Sequence, residues 1–146
     1  MEKQDNLHKE LELIQSVISR MANNSFLVKG WAMTLVSALI ALGKDVVLNG
    51  QGGVYYLTAM LIIVVPFWWL DAFFLKQERI FRKIYEKAIK DPDAENRIRY
   101  DLNPRGQANE FGRVWKLMRA DVVVWFYLPF LSFIIVGIIL KLMNKI

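Results

Sequence analysis

With 146 residues, 55% of them hydrophobic, and a net charge of +5, the chain is sized for one domain and is more apolar than the roughly 45–50% of ordinary soluble domains. It has no cysteine and a single histidine, His8, which excludes disulfide scaffolds, thiolate metal centres and cysteine-nucleophile enzymes. The 19 Lys and Arg stand against 14 Asp and Glu, a basic excess too diluted by acids to read as a nucleic-acid surface.

Most of the Leu, Ile, Val and Trp fall in three runs, 26–43, 54–75 and 121–140. A hydrocarbon core of about 30 Å is crossed by about 17–25 apolar helical residues, and each run fits. The sequence therefore predicts an all-α integral membrane protein of one domain, 1–146. It has three transmembrane helices, an N-terminal amphipathic helix and a cytoplasmic helical extension.

In chain order, residues 5–24 are expected to form the amphipathic helix. Leu7, Leu11, Ile14, Ile18 and Met21 recur at steps of four and three, making a narrow apolar seam that Leu13 and Val17 widen. Such a seam calls for a partner helix or a membrane surface, and packing on this chain's own cytoplasmic helix is the simpler expectation. The charged stretch before the first apolar run is too long for the start of a signal peptide, so that run reads as a retained helix. No strong breaker separates the two, which predicts one helix over about 6–43.

Within the first span Gly30, Thr34 and Ala38 share one face, with Ser37 and Ala41 beside it. Small residues at this spacing let helices approach closely in lipid, within one protomer or between protomers. Residues 43–53 are rich in turn formers and predict an antiparallel hairpin between spans one and two. Their glycines are not a phosphate loop, because no Gly-Lys-Ser/Thr follows. The second span carries Pro66, where a kink is expected, and runs on past Leu75 into a charged helix ending near Asp91-Pro92. Residues 91–109 read as a polar linker. From Asn109 a helix is expected to lie along the bilayer surface, with Phe111, Val114, Trp115 and Met118 on one face. The third span contains Pro129, another expected kink.

The segment 76–119 (the cytoplasmic segment of this reading) holds 12 of the 19 Lys and Arg, whereas the 44–53 connection has one and the tail after Leu140 two. The positive-inside bias puts that segment in the cytoplasm, with the N-terminus inside and the C-terminus outside. Trp31, Trp68, Trp69, Trp115 and Trp125 all then fall on the inner half, as an aromatic belt does.

Past Pro66, Asp71, Leu75, Glu78, Arg82 and Tyr85 share a helix face. On the first helix Arg20, Asn24, Ser25 and Lys29 lie at matching depth. A hairpin centred near residues 48 and 49 pairs residue i with about residue 97 − i. This predicts Glu78 beside Arg20, and Asp71 beside Ser25 or Lys29. Ionisable groups at such depth pair with one another or face a wet cavity. The stripe Arg20, Asn24, Ser25, Lys29, Asp71, Glu78, Arg82 and Tyr85 is thus a register-fixing salt-bridge network or a pocket for a ligand or partner segment. Contact of the surplus arginines with anionic headgroups is the third reading. Catalysis is not expected: Ser25, Ser37 and Ser132 have no histidine to activate them, no Glu-x-x-His metal box is present, and no cofactor is implied.

Two runs carry a resemblance: Arg20-Met-Ala-Asn-Asn-Ser-Phe-Leu-Val-Lys-Gly-Trp31, and Phe67-Trp-Trp-Leu-Asp-Ala-Phe-Phe-Leu-Lys-Gln-Glu-Arg-Ile-Phe-Arg-Lys-Ile-Tyr85. They resemble a family of small, poorly characterised bacterial membrane proteins encoded beside Toll/interleukin-receptor-like or nucleotide-signalling defence genes. The positions that match are Arg20, Asn24, Ser25, Lys29, Trp31, Asp71, Glu78, Arg79, Arg82 and Tyr85; the linker and third span lie outside the resemblance. It implies a membrane effector or accessory subunit of anti-phage defence, set in a bacterial inner membrane with its C-terminus periplasmic. The expected function is a non-enzymatic homo-oligomer that disrupts or gates the bilayer, a pore needing several protomers. The partners are anionic lipids and a cytoplasmic protein or nucleotide-type signal, with no nucleic acid. The competing expectation is an anchor that holds a cytoplasmic enzyme at the membrane, and a transporter subunit comes third.

Overall fold

The computed structural model describes residues 2–50, 52–92, 98, 100–108 and 112–143. Among these residues there are five helices, α1 (Glu2–Leu48), α2 (Gly53–Lys90), α3 (Arg105–Ala108), α4 (Val114–Leu117) and α5 (Asp121–Leu142), and no strand. At a rise of 1.5 Å per residue, α1 and α2 are about 70 and 57 Å long and α5 about 33 Å. All three are long and apolar enough to cross a membrane. Large side chains such as Phe26, Leu42, Tyr55, Ile62 and Phe133 stand exposed along them, where a water-soluble monomer exposes such residues mostly singly.

α1 and α2 form the expected hairpin, but the connection is shorter than the turn formers of 43–53 indicate. α1 stays helical through Gly43, Lys44 and Asp45 to Leu48, leaving only residues 49–52 between the helices. Gly43 serves packing, not a turn: a Cβ there would stand 2.0 Å from the ring of Tyr56, whose hydroxyl donates to the Leu39 carbonyl at 2.6 Å. α2 and α5 both run through their prolines, Pro66 and Pro129.

Two apolar clusters hold the helices. In the span region Ala32 and Val36 of α1 meet Leu57, Met60 and Val64 of α2, and α5 adds the stripe Val123, Tyr127 and Ile134. In the charged extension Ile14 and Ile18 pack on Phe81 and Ala88, with Leu11, Val17, Ile84, Tyr85 and Leu102 around them. The N-terminal seam therefore lies on the chain's own helix, as its spacing implied, and joins the first span without a break. Leu13 is the seam residue left outside, 48% exposed.

The segment before α5 departs from expectation. Asn109 and Phe111 lie outside the described residues, and in place of an extended surface helix there is one turn, α4. Its limits have local causes: Gly112 adopts φ 64°, a conformation open to glycine, and Arg113 and Ala120 are extended on either side of the turn. Lys76 donates to the Gly112 carbonyl at 2.6 Å and the Trp68 indole to the Met118 carbonyl at 3.0 Å, so α4 is tied along α2.

The small-residue face of α1 is not used within the chain. Gly30, Thr34, Ser37, Ala38 and Ala41 are all exposed, and a Cβ added at Gly30 would meet nothing within 4 Å. The core-facing residues Val28, Ala32 and Val36 occupy another side of the helix.

A buried charge pair between three helices

Asp71 is fully buried, with 0% of its surface exposed. Three features of the sequence put it there. α2 presents it on the face that continues from Val64, and the hairpin register brings Ser25 and Lys29 opposite. These two are one turn apart on α1, so both side chains reach the same point. Ser25 Oγ donates to Asp71 Oδ1 at 2.5 Å and Lys29 Nζ to the same oxygen at 2.7 Å; Lys29 also donates to Ser25 Oγ at 2.9 Å. One oxygen thus carries the whole interaction, while Oδ2 is buried with no hydrogen-bond partner among the described residues.

α5 closes the third side. The Lys29 ammonium stands 5.9 Å from the Phe126 ring centre, within range of a cation–π contact. Tyr127, itself fully buried, stacks on Trp68 at 6.1 Å and donates its hydroxyl to the Phe67 carbonyl at 3.2 Å. The polar group therefore sits between the two apolar clusters of the hairpin, with aromatic side chains on its α5 side. An isolated buried charge is costly enough that the pair has to form, and it forms only in one hairpin register. A sealed carboxylate already bonded to an ammonium and a hydroxyl has the chemistry of a structural pin, not of a nucleophile or general base.

The rest of the predicted stripe is divided. Glu78 does not meet Arg20. Its carboxylate pairs with Arg82, one turn further along α2, at 2.7 and 2.8 Å, and Arg82 is 61% exposed. Arg20 is exposed and forms no ion pair among the described residues. Depth was matched but azimuth was not: Arg20 follows Ile18 by two residues, about 200° around the helix from a residue that faces α2. Asn24 is half-buried, and Tyr85 packs against the extension cluster. Asp71, Ser25 and Lys29 are brought together; Arg20, Glu78, Arg82 and Tyr85 are not part of that group.

Two contributions escaped the sequence reading. Tyr127 lies in a run apolar on every side, and its hydroxyl was the available signal, since a buried tyrosine seeks an acceptor. The other is Glu10, only 4% exposed, which accepts from the Tyr100 backbone N–H at 3.0 Å. Tyr100 holds φ 60° and donates its hydroxyl to the Asn6 carbonyl at 3.1 Å, a strap that ties this point of the chain to α1. Glu10 precedes Ile14 by four residues, so a carboxylate on the apolar seam was visible in the spacing. Among the described residues no three His, Asp or Glu side chains converge in a way that would hold a metal ion. Comparisons with protein families, curated proteins and solved structures find no match.

Proposed function

We propose that the chain is a non-enzymatic, multi-pass protein of the bacterial inner membrane that assembles with itself through α1 and disturbs or gates the bilayer on a cytoplasmic cue, as an effector of anti-phage defence. The observation that carries the assembly is the uncovered small-residue face of α1, where Gly30 leaves open space and a neighbouring helix can approach to backbone contact. The defence setting is supported by the resemblance of the 20–31 and 67–85 runs. Three helices enclose no channel, so bilayer disturbance belongs to an assembly of protomers.

Ala38→Leu tests the assembly, because it fills that face without touching the chain's own core. Its expected result is a lower oligomer mass in detergent, with growth arrest on overexpression weakened in parallel. Unchanged mass and unchanged toxicity would mean that the face looks at lipid. Orientation has its own check: a reporter fused after Ile146 is expected to behave as periplasmic, and one inserted near Asn103 as cytoplasmic. A cytoplasmic C-terminus would overturn the three-span reading.

A second reading, an anchor for a cytoplasmic partner, is favoured by one observation. The extension has a hollow of about 520 Å³ whose lining includes His8, Leu11, Gln15, Ser19 and Tyr85, open to a partner segment. An anchor expressed without its partner is harmless to the cell, so absence of growth arrest from the intact assembly would favour it.

A further inference from the structure

We propose that the hollow between α2 and α4 is a binding site for a single anionic phospholipid, with its phosphate on Lys76 and Arg113 and its glycerol and upper chain between Trp69 and Trp115. The inference rests on the chain lying in a membrane, as proposed above.

The hollow has a volume of about 590 Å³ and is lined by Trp69, Lys76, Arg113, Val114 and Trp115. Its charge is entirely positive, since none of the five is acidic. Lys76 is the first cation of α2 after the long apolar run, which sets the hollow at the level where apolar helix gives way to charged helix. Lipid phosphates lie at that level. The site is also built, not incidental. Lys76 spends one of its three donors on the Gly112 carbonyl, which fixes the ammonium and leaves two N–H groups. Gly112 turns the chain at φ 64°, so that the extended Arg113 follows beside Lys76. Arg113 is exposed and has no ion-pair partner among the described residues. Its planar fork suits two phosphate oxygens.

The indoles supply the other half of the recognition. Trp69 is 46% exposed and Trp115 63%, and Trp69 is held by stacking on Phe73 at 5.7 Å. Two exposed indoles flanking two cations match an amphiphile, an anionic group continued by hydrocarbon, better than a fully soluble phosphate. A phosphatidylglycerol-type lipid carries one net negative charge beside its chains and meets both requirements.

The test is native mass spectrometry of the full chain in neutral detergent, titrated with phosphatidylglycerol and, separately, phosphatidylcholine. Preferential retention of phosphatidylglycerol is expected, with millimolar glycerol 3-phosphate failing to displace it. Arg113→Ala is expected to weaken retention roughly fivefold, the scale of one basic residue at an anionic surface, and Arg113→Lys to keep most of it. Trp115→Ala is expected to weaken it without any change of charge. Arg119→Ala removes the same charge from outside the hollow and is expected to leave retention unaltered. Equal loss from Arg119→Ala and Arg113→Ala overturns the proposal in favour of diffuse attraction. Equal retention of phosphatidylcholine overturns it, and displacement by glycerol 3-phosphate shows a soluble-phosphate site instead. Alkaline carbonate extraction of membranes separates the two levels: a wild-type chain that washes off refutes the membrane reading itself. One that stays in the membrane yet shows no lipid preference refutes only this site.

Discussion

Asp71→Ala is expected to lower stability by about 3–5 kcal/mol, the cost of leaving one member of a buried ion pair behind, read as thermal unfolding in detergent. The residue left behind is Lys29, 20% exposed and, among the described residues, otherwise in contact with the Ser25 hydroxyl and the Phe126 ring. The paired replacement Lys29→Met with Asp71→Leu removes both charges and fills the space. It is expected to recover most of the loss, because apolar residues of similar volume often replace a buried pair at no net cost. A double variant as unstable as Asp71→Ala would show that packing, not the stranded ammonium, is what fails. If the double variant folds and assembles but no longer arrests growth, the pair has a working role beyond fixing register.

Gly43→Ala is expected to cost about 1–3 kcal/mol, the range of an overpacked core, although the change adds a single methyl group. The new Cβ would fall 2.0 Å from Tyr56 Cε1 and 2.2 Å from Cζ, so the ring has to leave and the bond from its hydroxyl to the Leu39 carbonyl is lost. Combining Gly43→Ala with Tyr56→Leu removes the obstacle. The expected coupling is large and favourable: the double variant should be no worse than Tyr56→Leu alone, as a double-mutant cycle measures. Additive losses would mean that α1 is not fixed at this distance from α2.

Much of this arrangement is legible in the residue order, because it follows from period and length. The seam from Leu7 to Met21, the three apolar runs and the absence of a breaker before residue 43 are enough to give the long helical hairpin. Its register then places Asp71 against Ser25 and Lys29. The Arg20–Glu78 pairing fails on a different quantity. Register gives the height of a residue along the helix, whereas the side it faces depends on where the contact line runs, and Ile14 and Ile18 fix that line away from Arg20. Glu78 also has a local alternative in Arg82, which needs no tertiary structure. The end of α1 is not legible in the sequence, because glycine near a turn reads as punctuation, while Gly43 is required by the Tyr56 ring, a neighbour 13 positions later. The strap at Tyr100 depends on a left-handed residue that no periodicity announces.

The unbroken course of α1 has a mechanical consequence. From the pin at residues 25 and 29, about 25 Å of rod extends back to Glu10, where the Tyr100 strap grips, and about 31 Å extends forward to Leu48. Apolar packing on α2 grips the rod on both sides of that point, at Ile14 and Ile18 and at Ala32 and Val36. The hairpin is therefore braced like a beam held along its length: a load at the strap is shared by both helices, and α1 has no free arm on which to pivot.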